Sequence, residues 1–234
     1  MLKKIKRKIK KLINNISKFD KNNQLGSGGE RVDIIYKKKL DYSKMDMYQK
    51  NHYRRYKFAL SQIYDGDICG DFACGTGYGC AMLSKKAAYV IGADINGIVI
   101  EKIRERYKKE KNIEFLALNL LDIKYECKFD RIISFETIEH FKEEDIITLF
   151  RIFCKALKPD GTIIFSTPFM QERSEAAINM GFHKTFYIDQ DKIKKWLAQT
   201  DLILKGIRFQ NYETHLVRES LDKKDFIICT ASQQ

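Results

Sequence analysis

Glu136, Glu139 and His140 lie within the short run Phe135-Glu136-Thr137-Ile138-Glu139-His140. Two carboxylates and an imidazole at one-turn spacing can do two kinds of chemistry. They can move a proton off a bound hydroxyl, with His140 as the base. Alternatively, joined by His183 from Asn179-Met180-Gly181-Phe182-His183, Glu136, Glu139 and His140 can offer the oxygen and nitrogen ligands that suit Mg²⁺ or Mn²⁺. A second signal is the run Asp71-Phe72-Ala73-Cys74-Gly75-Thr76-Gly77-Tyr78-Gly79. Glycines let a backbone approach a ligand closely, and a helix starting there offers unpaired N–H groups. The spacing departs from the dinucleotide fingerprint, because position 80 is Cys and the third glycine falls at 79. Asp71 ahead of the loop suits a ligand carrying an ammonium group better than a pyrophosphate. Asp94, about twenty residues after the first glycine, stands where a carboxylate accepts both hydroxyls of a ribose.

These groups need rigid elements to hold them, and the hydrophobic pattern supplies them in alternation. Strands are expected over 67–73, 89–94, 113–118, 129–135 and 161–166, and helices over 48–63, 78–86, 97–109 and 143–157. A helix over 189–199 and strands over 202–209 and 226–230 complete the series. Alternation with short connections predicts right-handed crossovers and a mostly parallel sheet covered on both faces. In such a sheet, ligands bind outside the carboxyl ends of the strands. The glycine loop, Asp94 and the Glu136–His140 run all come directly after strands.

The chain has 234 residues, 44% hydrophobic, with two prolines and a net charge of +12. That composition excludes a disordered or low-complexity chain. Seven basic residues and no acid fall in residues 1–13, with Leu2, Ile5, Ile9, Leu12, Ile13 and Ile16 forming an apolar stripe at helical spacing. Gly26-Ser27-Gly28-Gly29 comes next. The expected organisation is a basic amphipathic arm and glycine linker over 1–29 and one domain over 30–234. No run reaches the ~18 apolar residues of a membrane span, and no signal-peptide core is visible. A cytoplasmic location is expected, with residues 1–16 able to rest on the inner face of a membrane. The six cysteines show no paired spacing for zinc or disulfides. His52 and His215 read as surface or packing residues.

The ordered motifs D-x-x-C-G-T-G-x-G, G-A-D, F-D-R-I-I-S-F-E-T-I-E-H-F and L-K-P-D-G-T-I-I-F-S-T-P resemble those of class I S-adenosylmethionine-dependent methyltransferases over about residues 66–168. The resemblance implies an α/β, Rossmann-like, seven-stranded sheet, here with an N-terminal helical extension. It implies Asp71, Ala73, Gly75 and Gly77 around the methionine moiety, Asp94 on the ribose, and Ile95, Asn119 and Leu120 around the adenine. Similar proteins carry an R-Y pair near the cofactor, which places Arg55 and Tyr56 there. A similar E-x-x-E-H with a distant His occurs in small-RNA 2′-O-methyltransferases and ubiquinone-pathway O-methyltransferases, where it implies a metal.

The residues after the fourth strand narrow the acceptor. Ser-Phe-Glu-Thr replaces the N/D-P-P-Y motif used on base or amide nitrogen, and the Pro-Cys nucleophile for cytosine is missing. O-methylation is expected. The flanking G-E-R-V-D, H-x-R-R-Y and N-x-G-F-H segments resemble bacterial sugar methyltransferases encoded with capsule or O-antigen genes, which implies a sugar or nucleotide-sugar acceptor. Two other readings stay open: an RNA 2′-O-methyltransferase with a metal-assisted site, and a non-enzymatic cofactor-binding assembly protein. The arm lacks aromatics interleaved with its basic residues, so nucleic acid is not the expected partner.

Overall fold

The computed structural model describes residues 31–36 and 40–234. The predicted arm and linker over 1–29 lie outside those residues. Asp46 and Gln49 open helix α1 (Met47–Ser61) with a reciprocal capping box: Gln49 N–H donates to Asp46 Oδ1 at 2.8 Å, and Asp46 N–H donates to Gln49 Oε1 at 3.0 Å. Next come β1 (Ile68–Phe72), α2 (Tyr78–Leu83), β2 (Tyr89–Asp94), α3 (Gly97–Arg106), β3 (Ile113–Ala117) and β4 (Phe129–Phe135). The chain continues through α4 (Glu143–Ala156), β5 (Leu157–Pro168), α5 (Glu175–Met180), α6 (Gln190–Leu197), β6 (Leu202–Gln210), β7 (Val217–Arg218) and β8 (Phe226–Gln233).

The strands form one sheet in the order β3-β2-β1-β4-β5-β8-β6-β7. β1 to β5 are parallel, while β8 inserts antiparallel between β5 and β6. This is the α/β Rossmann-like methyltransferase fold with eight strands rather than seven. The eighth is β7, a two-residue strand antiparallel to the end of β6. Two residues carry no readable alternation, so the pattern passed over it.

Side chains alternate across the strands into two cores. Ile132, Ile163 and Ile227 join Leu149, Phe150 and Phe153 of α4 and Trp196 of α6 on one face. Ile133, Ile164 and Ile228 join Tyr56 and Ala59 of α1, Met82 of α2 and Ile100 of α3 on the other. Burial on both faces fixes the register. It therefore fixes which residues emerge at the carboxyl ends of β1, β2 and β4. Among the described residues no helix is long and apolar enough to cross a membrane.

Candidate active site

Past β1 the chain turns sharply: Ala73, Gly75 and Gly77 all have positive φ, at 63°, 51° and 73°. Cys74 N–H donates to Ala93 O at 2.9 Å and Gly75 N–H to Asp94 Oδ2 at 3.0 Å, which pins the loop to the end of β2. The second oxygen of Asp94 accepts from Asn96 N–H at 2.9 Å, and Arg31 Nη2 approaches it to 3.9 Å. Each carboxylate oxygen keeps a further lone pair for a ligand hydroxyl. A cavity of about 460 Å³ opens here, lined by Ala73, Gly75, Asp94, Ile95, Asn119, Leu120 and Tyr56 among others. Ile95 lines this cavity and is 71% exposed, which leaves its apolar side chain available to a flat apolar group. Asn119 lines the same cavity, and its Oδ1 also accepts Leu121 N–H, capping a short turn.

Two of the residues expected at the cofactor stand behind this wall. Asp71 is fully buried, accepting Tyr56 Oη–H at 2.9 Å and Cys80 Sγ–H at 3.0 Å. Burial pushes its carboxyl up to about 6. Gly77 serves packing: a Cβ there would come within 3.0 Å of the Phe115 ring. A third, Arg55, points elsewhere. It lines a second cavity of about 600 Å³ that adjoins the first.

The two cavities share Val32, His52, Glu136, His140 and Phe182. This junction is where a group bound in one cavity can meet a group bound in the other. Glu136 comes directly after β4 with φ of 50°, a sparsely populated conformation for a non-glycine residue that costs of order 1–3 kcal/mol and clusters at functional sites. The register puts Phe135 beside Ser166, so Ser166 Oγ–H donates to Glu136 Oε1 at 2.7 Å, with Arg55 Nη1 at 3.9 Å. Glu139 bonds to the next residue of β5 and is 1% exposed: Thr167 Oγ1–H donates to its Oε2 at 3.0 Å, while Oε1 has no partner. Burial, then the Glu136 carboxylate, push Glu139 well above the ordinary carboxylate range.

His183 reaches the cluster because Lys184 and Thr185 N–H both donate to the Glu139 carbonyl, at 2.8 and 3.1 Å. Its ring stands 5.0 Å from that of His140. His140 Nδ1–H donates to Phe182 O at 3.1 Å and His183 Nδ1–H to Gln171 Oε1 at 2.7 Å. In the neutral imidazole those bonds put the proton on Nδ1 and leave Nε2 as the acceptor. Burial, aided by His140, lowers His183 to about 4, so it is neutral at pH 7.

Ligand atoms of Glu139, His140 and His183 lie within 4.8 Å of one another. Glu136 is not part of that group. Its side chain turns toward Ser166 and Arg55, so of the four residues expected from sequence to share a metal only Glu139, His140 and His183 come together.

His52, read from sequence as a packing residue, is at the junction. Its Nδ1 is 3.0 Å from Tyr78 Oη, and burial followed by the Arg55 charge holds it well below its usual range. The available signal was its place on α1: Tyr48, Asn51, His52 and Arg55 recur at i, i+3, i+4 and i+7, and all four line the second cavity. A polar stripe at core-facing spacing marks a helix that faces a cavity.

Residues 70–161 match the model of a family described as a methyltransferase domain. Over 99 residues the chain is 33% identical to malonyl-[acyl-carrier protein] O-methyltransferase of Acetivibrio thermocellus, covering 42% of this chain and 34% of that one. Over 98 residues it is 33% identical to phosphoethanolamine N-methyltransferase of Plasmodium falciparum, covering 41% and 37%. The matched segments thus span about a third of these two relatives' own lengths. Among solved structures, the N-methyltransferase NodS of Bradyrhizobium japonicum in complex with S-adenosyl-L-homocysteine superposes with a TM-score of 0.62. It is 15% identical, over 85% of this chain and 94% of that one.

Proposed function

We infer that this chain is an S-adenosylmethionine-dependent methyltransferase and that it methylates a hydroxyl of a sugar or nucleotide-linked sugar; its fold and the methyltransferase domain that residues 70–161 match support the first part of that reading. S-adenosylmethionine, when bound, supplies a methyl group on a sulfonium centre. The residues present fit it: Asp94 offers free lone pairs, Ile95 an exposed apolar face, and the Ala73–Gly75 turn a close backbone approach.

The acceptor enters the second cavity, and the observation that carries the reading is that His140 lines both cavities with a bare Nε2. His140 would accept the proton of the acceptor hydroxyl on Nε2, beside the place where bound S-adenosylmethionine would present its methyl group. The Phe182 carbonyl holds the imidazole in the tautomer that can do so. Val32 and Phe182 give the junction apolar walls. Rings of Tyr48, Phe169, Tyr212 and Phe226 wall the second cavity beside Asn51, Arg55 and Gln171. Flat apolar faces next to planar polar groups suit a polyhydroxylated ring.

A second reading concerns Glu139, His140 and His183. The unpartnered Glu139 Oε1 beside two bare imidazole nitrogens fits a divalent cation. Two nitrogens among three ligands favour Mn²⁺ over Mg²⁺. Such an ion would stabilise an alkoxide at the junction.

The experiment is methyl transfer screened over nucleotide sugars, free sugars, short RNA, a malonyl thioester and phosphoethanolamine. Turnover of a sugar hydroxyl is expected. Turnover of RNA, the thioester or the amine alone would overturn the acceptor assignment.

A further inference from the structure

Five buried side-chain polar atoms have no hydrogen-bond partner among the described residues, and three belong to residues lining the second cavity: Asn51 Oδ1, Arg55 Nε and Glu139 Oε1. None belongs to a residue lining the cofactor cavity. Orphaned buried polar atoms cost stability and are rare, so their concentration at one cavity marks a site whose partners arrive with a ligand.

Asn51 and Arg55 stand one turn apart on the same face of α1. Both Asn51 Nδ2 hydrogens are used, donating to Met47 O and Tyr212 O at 2.8 Å each, so the free atom is the carbonyl oxygen and can only accept. The Arg55 guanidinium is 1% exposed, lies 4.5 Å from the Phe226 ring centroid, and donates from Nη1 to Gln210 Oε1 at 2.8 Å. Its Nε–H can only donate.

A ligand group completing this pair must donate to Asn51 and accept from Arg55. A hydroxyl does both. A carboxylate or phosphate satisfies Arg55 but sets its lone pairs against Asn51 Oδ1, and an ammonium has the opposite fault. We propose that Asn51 and Arg55 are specificity-determining residues that read a second hydroxyl of the acceptor, distinct from the one methylated. This rests on the reading that the second cavity receives the acceptor, and it makes that acceptor a polyol rather than an amine or an acyl thioester.

The test pairs the sugar acceptor found by screening with its series of monodeoxy analogues. A site built to bond a hydroxyl rejects the analogue lacking it, so kcat/KM should fall roughly 100-fold or more at one ring position besides the methylated one. Arg55→Lys keeps the cation but removes Nε–H, and should abolish that discrimination by lowering activity on the parent sugar to the level of the deoxy analogue. No such position in the wild-type series, which needs no variant to fold, overturns the proposal. So does discrimination that survives in Arg55→Lys.

If no sugar is turned over, binding of a cyclitol and of cyclohexanol is compared by saturation-transfer NMR with S-adenosylhomocysteine present. Cyclitol binding that is lost in Arg55→Lys supports the subsite although the acceptor assignment has failed. Equal binding of the two probes, or none, overturns it.

Discussion

A Cβ atom on residue 79 would lie 2.2 Å from the ring of Tyr56. The third glycine of the loop therefore belongs to Tyr56, whose ring crosses the start of α2 to reach Asp71. This explains why it falls at 79 and not at the dinucleotide-binding position. Gly79→Ala should destabilise the fold by about 1–3 kcal/mol, the range for overpacked cores. Pairing it with Tyr56→Leu should recover part of the loss in denaturant unfolding. Additive losses would show that the two positions do not share one space.

Asp94 carries both the glycine loop and the expected ribose hydroxyls. Asp94→Ala should weaken S-adenosylmethionine binding roughly 10- to 100-fold by calorimetry, from the loss of charge-assisted hydrogen bonds. Unchanged affinity would remove Asp94 from the cofactor site.

Asp71 is held charged at pH 7 against its burial. Its folded-state value of about 6 exceeds the ordinary 3.8, so between those values the folded protein keeps a proton that the unfolded chain releases. Stability from this group is present below about pH 4 and declines as pH rises to 6, by on the order of 3 kcal/mol. Asp71→Asn should flatten that decline in chemical denaturation from pH 4 to 7. Parallel curves for the two proteins would contradict the assignment.

The segment carrying Arg31 and Val32 lies along the first cavity, the one proposed for the cofactor, and is tied down at three points. Arg106 holds Asp33 by two hydrogen bonds of 2.5 and 2.9 Å, Gln49 Nε2–H donates to Asp33 O at 2.8 Å, and Thr76 Oγ1–H donates to Val32 O at 3.0 Å. Arg106→Gln removes the charged tie. Cofactor dissociation should accelerate by roughly tenfold in stopped-flow fluorescence, with association little changed. Dissociation at the wild-type rate would show that the segment does not hold the cofactor.

In the second reading a cation occupies His140 Nε2 together with Glu139 and His183, and turnover should then fall in chelator and return with Mn²⁺ more fully than with Mg²⁺. Gln171→Leu releases the His183 tautomer and should raise the Mn²⁺ concentration needed for half-activity by about 10- to 100-fold. Full turnover in chelator leaves His140 as the proton acceptor without a metal.

Most of the sheet was legible because each strand is a short apolar run bounded by turn residues, and the glycine loop and Asp94 are fixed within a few positions of strand ends. The helix over 143–157 was legible as well, but the strand expected over 161–166 is only the middle of β5, which starts at Leu157 directly after α4 and runs to Pro168 through a Pro-Asp-Gly sequence that reads as a turn. Less of the site was legible. Glu136 and Glu139 look equivalent in sequence, yet Ser166 holds the first, half-buried, while the second is fully buried against Thr167. His52 carries a weaker mark: only the polar stripe Tyr48, Asn51, His52 and Arg55 on one face of α1 points to the cavity it faces, and that stripe is readable only once the helix is known to pack on the sheet.

The sequence by itself determined the elements, the loop that turns at Ala73–Gly77 and the acid that ends β2, since these depend on local periodicity and on backbone angles set within a few residues. Tertiary structure alone decided which distant groups share a wall. His183 meets Glu139 through backbone hydrogen bonds across 45 residues of chain, and Arg55 meets Gln210 across 155. Such meetings depend on how α1, β6 and β8 pack at the end of the sheet, which no local pattern encodes.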